Sequence, residues 1–102
     1  MDKLIEQTAF AAGNAALYRV VNESEDGFFI TISGRVRWAL DQLIEAGLSG
    51  CTPIWQAGPR WSDYVYRLRA LGIQAETIRE PHGGDFPGNH GRYVLRSHVV
   101  RC

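Results

Sequence analysis

Apolar positions over residues 61–71 recur at the three-and-four spacing of a single helical face: Trp61, Tyr64, Val65, Leu68 and Leu71. No other stretch is as strongly periodic, and the pattern predicts a helix over residues 59–71. Gly58 suits the cap and Pro59 the first position, where the N–H that proline lacks would be unpaired anyway; Gly72 suits a left-handed stop. The opposite side of this helix carries Ser62, Asp63, Tyr66, Arg67 and Ala70, with Arg69 on the flank. A second stripe, Val36, Ala39, Leu40, Leu43 and Ile44, predicts a helix over residues 34–46, capped by Ser33 and ended by Gly47. Trp38 falls off that stripe, on the side of Asp41 and Glu45. It therefore needs cover from outside the helical core, either from the N-terminal part of the chain or from a second subunit, and it is a candidate interface residue.

Elsewhere the period shortens. Residues 16–22 and 28–33 are β-branched and aromatic and flank the turn-forming Ser24-Glu25-Asp26-Gly27, which predicts a hairpin. After Gly72, residues 73–80 and 92–96 predict two strands. Ile73, Ala75 and Ile78 point inward on the first, with an irregularity near Thr77; on the second Tyr93 and Leu95 alternate with Arg92, Val94 and Arg96. Residues 81–91 between them hold too much glycine and proline for helix or strand and predict a long hairpin tip. Leu48-Ser49-Gly50-Cys51 is a connector, and Thr52-Pro53 opens a short helix over residues 53–57. Residues 1–15 fit a weak helix or a mobile arm equally well. These elements divide the chain into an arm and hairpin, residues 1–34, and a helical and wing portion, residues 35–102, within one compact domain.

Composition narrows these readings. The 102 residues are 45% hydrophobic with a formal net charge of zero, which excludes a histone-like grip on polyanions over the whole surface. The charge is unevenly spread: residues 1–34 hold Lys3 and Arg19 against five carboxylates, whereas residues 35–102 hold nine arginines against six. That choice of arginine suits bidentate contact with phosphate, guanine or carboxylate. No apolar run approaches a membrane span and the N-terminus lacks a secretory layout, so a cytoplasmic protein with no membrane partner is expected. Cys51 and Cys102 show no metal or redox spacing and read as free thiols.

Helix, short helix, tight turn, helix, strand, long loop, strand is the order of a winged helix-turn-helix, an α+β fold with a three-helix core and a β-hairpin wing. The sequence also resembles small bacterial winged-helix proteins, some of them phage-associated. The matching residues are Arg60 and Leu68-Arg69-Ala70-Leu71-Gly72-Ile73, continued by Glu76-Thr77-Ile78 and closed by Gly91-Arg92-Tyr93-Val94-Leu95, within a span from residue 35 to residue 95. The resemblance implies that residues 59–71 are a recognition helix and residues 81–91 a wing. The chain departs from the pattern in its short second helix and in its N-terminal hairpin.

A helix in the major groove presents its exposed side chains to base edges, where arginine pairs with guanine and a carboxylate accepts from cytosine. Ser62, Asp63, Tyr66 and Arg67 are then candidate base readers, and Arg60 and Arg69 candidate phosphate contacts. Asp63 would repel phosphate, so it acts either on a base or as the partner of Arg67 one turn on. The same residues also read as an ordinary solvated face. In the wing, Arg79, His82, His90 and Arg92 are candidate contacts to the minor groove or backbone. His82 and His90 flank Asp85, with Cys51 or His98 as further ligands, but the spacing matches no zinc module, and no metal or cofactor is expected. No coherent catalytic set or small-molecule site is present.

The expectation is a non-enzymatic DNA-binding protein, a homodimer acting as a transcriptional regulator or a phage or plasmid accessory factor. The alternative is a winged-helix module for protein interaction, using Trp38, Tyr66 and the N-terminal hairpin. The arrangement of charge discriminates. If Arg60, Arg67, Arg69, Arg79 and Arg92 share a face clear of carboxylates, double-stranded DNA is favoured; if Asp63, Glu76, Glu80 and Asp85 divide that face, a protein partner is.

Overall fold

The alternation in residues 16–32 folds into an antiparallel hairpin, β1 (Ala16–Val21) and β2 (Phe28–Ile32), in which Ala16, Tyr18, Val20, Ile30 and Ile32 are buried. These belong to a computed structural model of the chain that describes residues 15–23, 25–53, 60–83 and 88–102. The helical stripes form α1 (Gly34–Ala46) and α2 (Trp61–Ala70), and a 3-10 turn at Gly47–Ser49 follows α1. The remaining strands are β3 (Ala75–His82), β4 (Gly88–Leu95) and β5 (His98–Arg101). The chain thus mixes helices and strands as an α+β reading requires. The expected helix over residues 53–57 falls outside the described residues except for Pro53, which lies in a turn. The readings of residues 1–14 and of Gly58-Pro59 also fall outside them.

Among the described residues the strands form two sheets, one ordered β2-β1-β5 and one formed by the β3-β4 hairpin. The first packs Tyr18, Val20, Ile30 and Val99 against Ala39, Leu40 and Leu43 of α1 and Val65 and Leu68 of α2, in one buried cluster. β5 is not foreseen by the sequence reading. It pairs antiparallel with β1, Arg19 opposite Val100 and Val21 opposite His98. A polar link ties the same region together: buried Asn22 donates from Nδ2 to the Gly72 carbonyl at 2.9 Å and accepts from the Ser97 hydroxyl, which in turn accepts from the Gln74 N–H at 2.7 Å.

Gly72 ends α2 as expected, at φ 99°. Its N–H donates to the Arg69 carbonyl and the Ile73 N–H to that of Leu68, while buried Leu68 and Ile73 supply the apolar contact typical of this stop. A Cβ at Gly72 would come within 2.9 Å of the tip of the Phe28 ring, so a side chain there would also have to displace that ring. Ser33 occupies the cap position of α1 in extended conformation, but its side chain makes no capping bond.

Four details differ from expectation. The stretch read as hairpin tip is largely ladder: Arg79 pairs with Gly91, Glu80 with His90, Pro81 with Asn89 and His82 with Gly88. β3 is an edge strand among the described residues, so Pro81 need not fill an interior ladder. Ile78, read as inward, is 37% exposed, and Val94, read as outward, is 1% exposed. The cause is the connector: Cys51 and Tyr93 exchange N–H to carbonyl bonds of 2.8 Å each, laying residues 50–51 alongside β4. Gly50 at φ 74° lets the chain approach, since a Cβ there would lie 2.9 Å from Val94 Cγ2. Finally, half-buried Trp38 has neighbours on α2 that the sequence reading did not foresee. It meets Trp61 at 5.4 Å and Tyr64 at 6.5 Å between ring centroids, with the Arg35 guanidinium 4.5 Å from its ring.

Candidate nucleic-acid interface

α2 divides sharply because its length is short and its stripe aromatic. Trp61, Tyr64, Val65 and Leu68 are buried, whereas Arg60, Ser62, Tyr66, Arg67 and Arg69 are exposed and Asp63 is half-buried. Trp61 stacks on Tyr93 with centroids 5.9 Å apart and planes at 14°, which fixes α2 against the hairpin. On the exposed side Asp63 Oδ2 accepts from both Arg60 Nη2 and Arg67 Nε, each at 3.1 Å. The helix spacing itself produces this, since residues three and four apart are neighbours.

Arg69 turns toward β3. Its Nε and Nη2 donate to the Ala75 carbonyl at 3.0 and 2.7 Å, and Nη2 donates to Thr77 Oγ1 at 2.8 Å.

Side chains alternate along a strand, and directly paired residues share a face. Thr77, Arg79, Gly91 and Tyr93 therefore lie on one face of the hairpin, and Glu76, Ile78, Glu80, His90, Arg92 and Val94 on the other. The contacts of Arg69 with Thr77 and of Trp61 with Tyr93 put α2 on the first face. Exposed Arg79 shares it.

The second face is a self-contained ionic lattice. Arg92 donates from Nε and Nη2 to Glu80 at 2.9 and 2.7 Å and from Nη1 to the Ser49 carbonyl at 2.6 Å; His90 Nε2 lies 3.0 Å from the same carboxylate. Arg96 grips Glu76 at 2.9 and 2.6 Å. The bond from Arg92 holds Glu80 below the ordinary carboxylate range and, reciprocally, raises Arg92.

Of the five arginines in the charge criterion, Arg60, Arg67, Arg69 and Arg79 thus lie on the α2 side of the hairpin and Arg92 on the far side. Glu76 and Glu80 accompany Arg92, so Asp63 is the carboxylate among the described residues that interrupts the α2 side. Asp85 lies outside the described residues, and of His82 only the backbone pairing with Gly88 is described. The sequence reading missed Thr77 and Ser49 as anchors, because both are reached by side chains across the tertiary fold. Burial pushes the Cys51 thiol up to about 11, which opposes a thiolate nucleophile. Among the described residues no group of histidine, cysteine and carboxylate side chains is arranged to hold a metal.

A protein-family model described as a winged helix domain matches residues 29–102. The match begins inside β2 and takes in both helices, the β3-β4 hairpin and β5. Neither the curated proteins nor the solved structures contain a match to the chain.

Proposed function

The chain belongs to the winged helix domain family, and from that premise we propose that it is a non-enzymatic protein that binds double-stranded DNA. In this reading it acts in the cytoplasm as a transcriptional regulator or a phage or plasmid accessory factor, and as a dimer. A three-helix core is part of the same proposal. No described helix is long and apolar enough to cross a membrane.

The observation that carries the reading is the separation of charge by the hairpin. Arg60, Arg67, Arg69 and Arg79 share the α2 side with Asp63, while Glu76 and Glu80 are bound to Arg96 and Arg92 on the other side. Exposed ion pairs such as those of Asp63 contribute only about 0 to 1 kcal/mol, so phosphate competes readily for Arg60 and Arg67. α2 then lies in the major groove with Ser62, Asp63, Tyr66 and Arg67 toward the bases. Arg60 and Arg79 meet the backbone, and His82 and His90 belong to the adjoining wing. Arg69 and Arg92 keep the helix and the wing in place, since both are already tied within the fold.

The test is to select bound duplexes from a random library and then compare variants. Arg67→Ala costs about 1 to 3 kcal/mol on the preferred duplex and much less on random DNA if its guanidinium reads guanine. Arg60→Ala weakens all duplexes alike and lowers the slope of log affinity against log salt by about 0.9 for each phosphate that the arginine neutralises. A second reading, protein binding, is supported by the double pairing of Asp63 and by Tyr66, which is 71% exposed on the same side of the helix. Unchanged duplex binding by both variants, with folding intact, decides for it.

A further inference from the structure

Besides half-buried Trp38, β2 offers a surface for association. It is an edge among the described residues, Phe28-Phe29-Ile30-Thr31-Ile32, with no charge and no proline. Edges this bare are normally guarded, because their open N–H and carbonyl groups accept another strand. The open groups can be named. The Leu17 carbonyl accepts from the Cys102 N–H, so Leu17 and, by alternation, Arg19 and Val21 bond toward β5. Tyr18 and Val20 then bond toward Ile30 and Phe28, which leaves the N–H and carbonyl of Phe29 and Thr31 facing outward.

The geometry points to a second copy of this chain as the occupant, paired β2 to β2 antiparallel about a two-fold axis at Ile30. That register sets Phe29 opposite Thr31 of the second copy and uses every outward group of both residues in both copies. Shifting the axis to Phe29 or Thr31 leaves open groups unmatched within the strand. The side chains agree: Phe29, 61% exposed, lies beside the Thr31 of the second copy on the outer face, next to exposed Leu17.

Charge selects the antiparallel copy. The turn before β2 carries Glu23, Glu25 and Asp26, and α1 after it begins with Arg35 and Arg37. Antiparallel pairing about Ile30 brings the acidic turn end of β2, with Glu25 and Asp26, to the end of the second copy's β2 from which α1 begins with Arg35, and an isologous contact makes that attraction twice. Arg37 already pairs with Asp41 at 3.5 Å, whereas Arg35 rests on the Trp38 ring and the Tyr64 hydroxyl, neither of which neutralises its charge, and Glu25 has no ion pair among the described residues. The other edge, β5, reads His98-Val99-Val100-Arg101 and has no carboxylate side chain to meet Arg101 of a second copy. This interface specifies the dimer of the proposed function, but association without DNA tests it separately from DNA binding.

Sedimentation of the full chain without DNA, in a series reaching about 1 mM, the weak end of specific association, shows a monomer–dimer equilibrium. Thr31→Pro removes an outward donor without touching the bonds to β1 and weakens the dimer about tenfold or more, with an unchanged melting transition at concentrations where both proteins are monomeric. Glu25→Arg and Arg35→Glu each weaken it, and together they restore it. A wild-type monomer throughout, a Thr31→Pro dimer as tight as wild type, or a charge-swapped pair no better than its two single variants combined overturns the proposal. Binding of Thr31→Pro to a single half-site duplex is read in parallel and stands or falls with the α2 face alone.

Discussion

The two sides of α2 are made from the same short stretch of chain and obey different physics. The inner side, Trp61, Tyr64, Val65 and Leu68, is dry, aromatic and fitted to its neighbours. The outer side holds Arg60, Asp63 and Arg67 in a chain of ion pairs open to water. Burial makes the inner side costly to alter and leaves it no freedom to bind anything else. Solvent makes the outer side tolerant of change, and that tolerance is what allows its arginines to exchange one anionic partner for another. Stability and recognition can therefore be separated by substitution on a single helix.

The largest effect expected is from the inner side. Trp61→Ala removes the centre of the aromatic group formed with Trp38, Tyr64 and Tyr93 and should cost about 3 to 5 kcal/mol in denaturant titration. A loss under about 1 kcal/mol would mean that the stack does not join α2 to the hairpin. Next is the end of the helix. Gly72→Ala imposes a left-handed alanine, and its Cβ meets the Phe28 ring, so a loss of about 1 to 2 kcal/mol is expected from the backbone alone. Adding Phe28→Leu separates the steric part from the conformational part.

Asp63→Asn probes the outer side. It should change stability by no more than about 1 kcal/mol while strengthening binding to every duplex, because Arg60 and Arg67 are then without their internal anion. Weaker binding confined to one duplex would instead identify Asp63 as a base reader. The smallest effect expected is a pH dependence at the hairpin. Glu80 is held below its ordinary value by Arg92, so its contribution is fully present above the unfolded value near 4.5 and is lost as pH falls through the folded value. The stability difference between wild type and Glu80→Gln should accordingly be constant near neutrality and shrink below about pH 4.5. A difference that persists unchanged into strong acid would show that the Glu80–Arg92 bond adds nothing to the fold.

Local pattern was enough to determine both helical stripes, the β1-β2 hairpin, the stop at Gly72 and the candidate residues on the outer side of α2, including the Asp63–Arg67 pair. Each depends on residues a few positions apart, where helix and strand periods leave a direct mark on the sequence. What meets across distance was settled by tertiary packing. Arg69 is drawn to Ala75 and Thr77, Arg92 to Glu80 and Ser49, and Trp38 to Trp61. β5 finds β1 from the other end of the chain, and residues 50–51 bury Val94 by bridging to Tyr93. Hairpin register set which arginines share the α2 side, because a strand turns alternate side chains to opposite faces and one step of register would exchange them. The arginines were legible in the sequence; their grouping depended on pairings that no local period encodes.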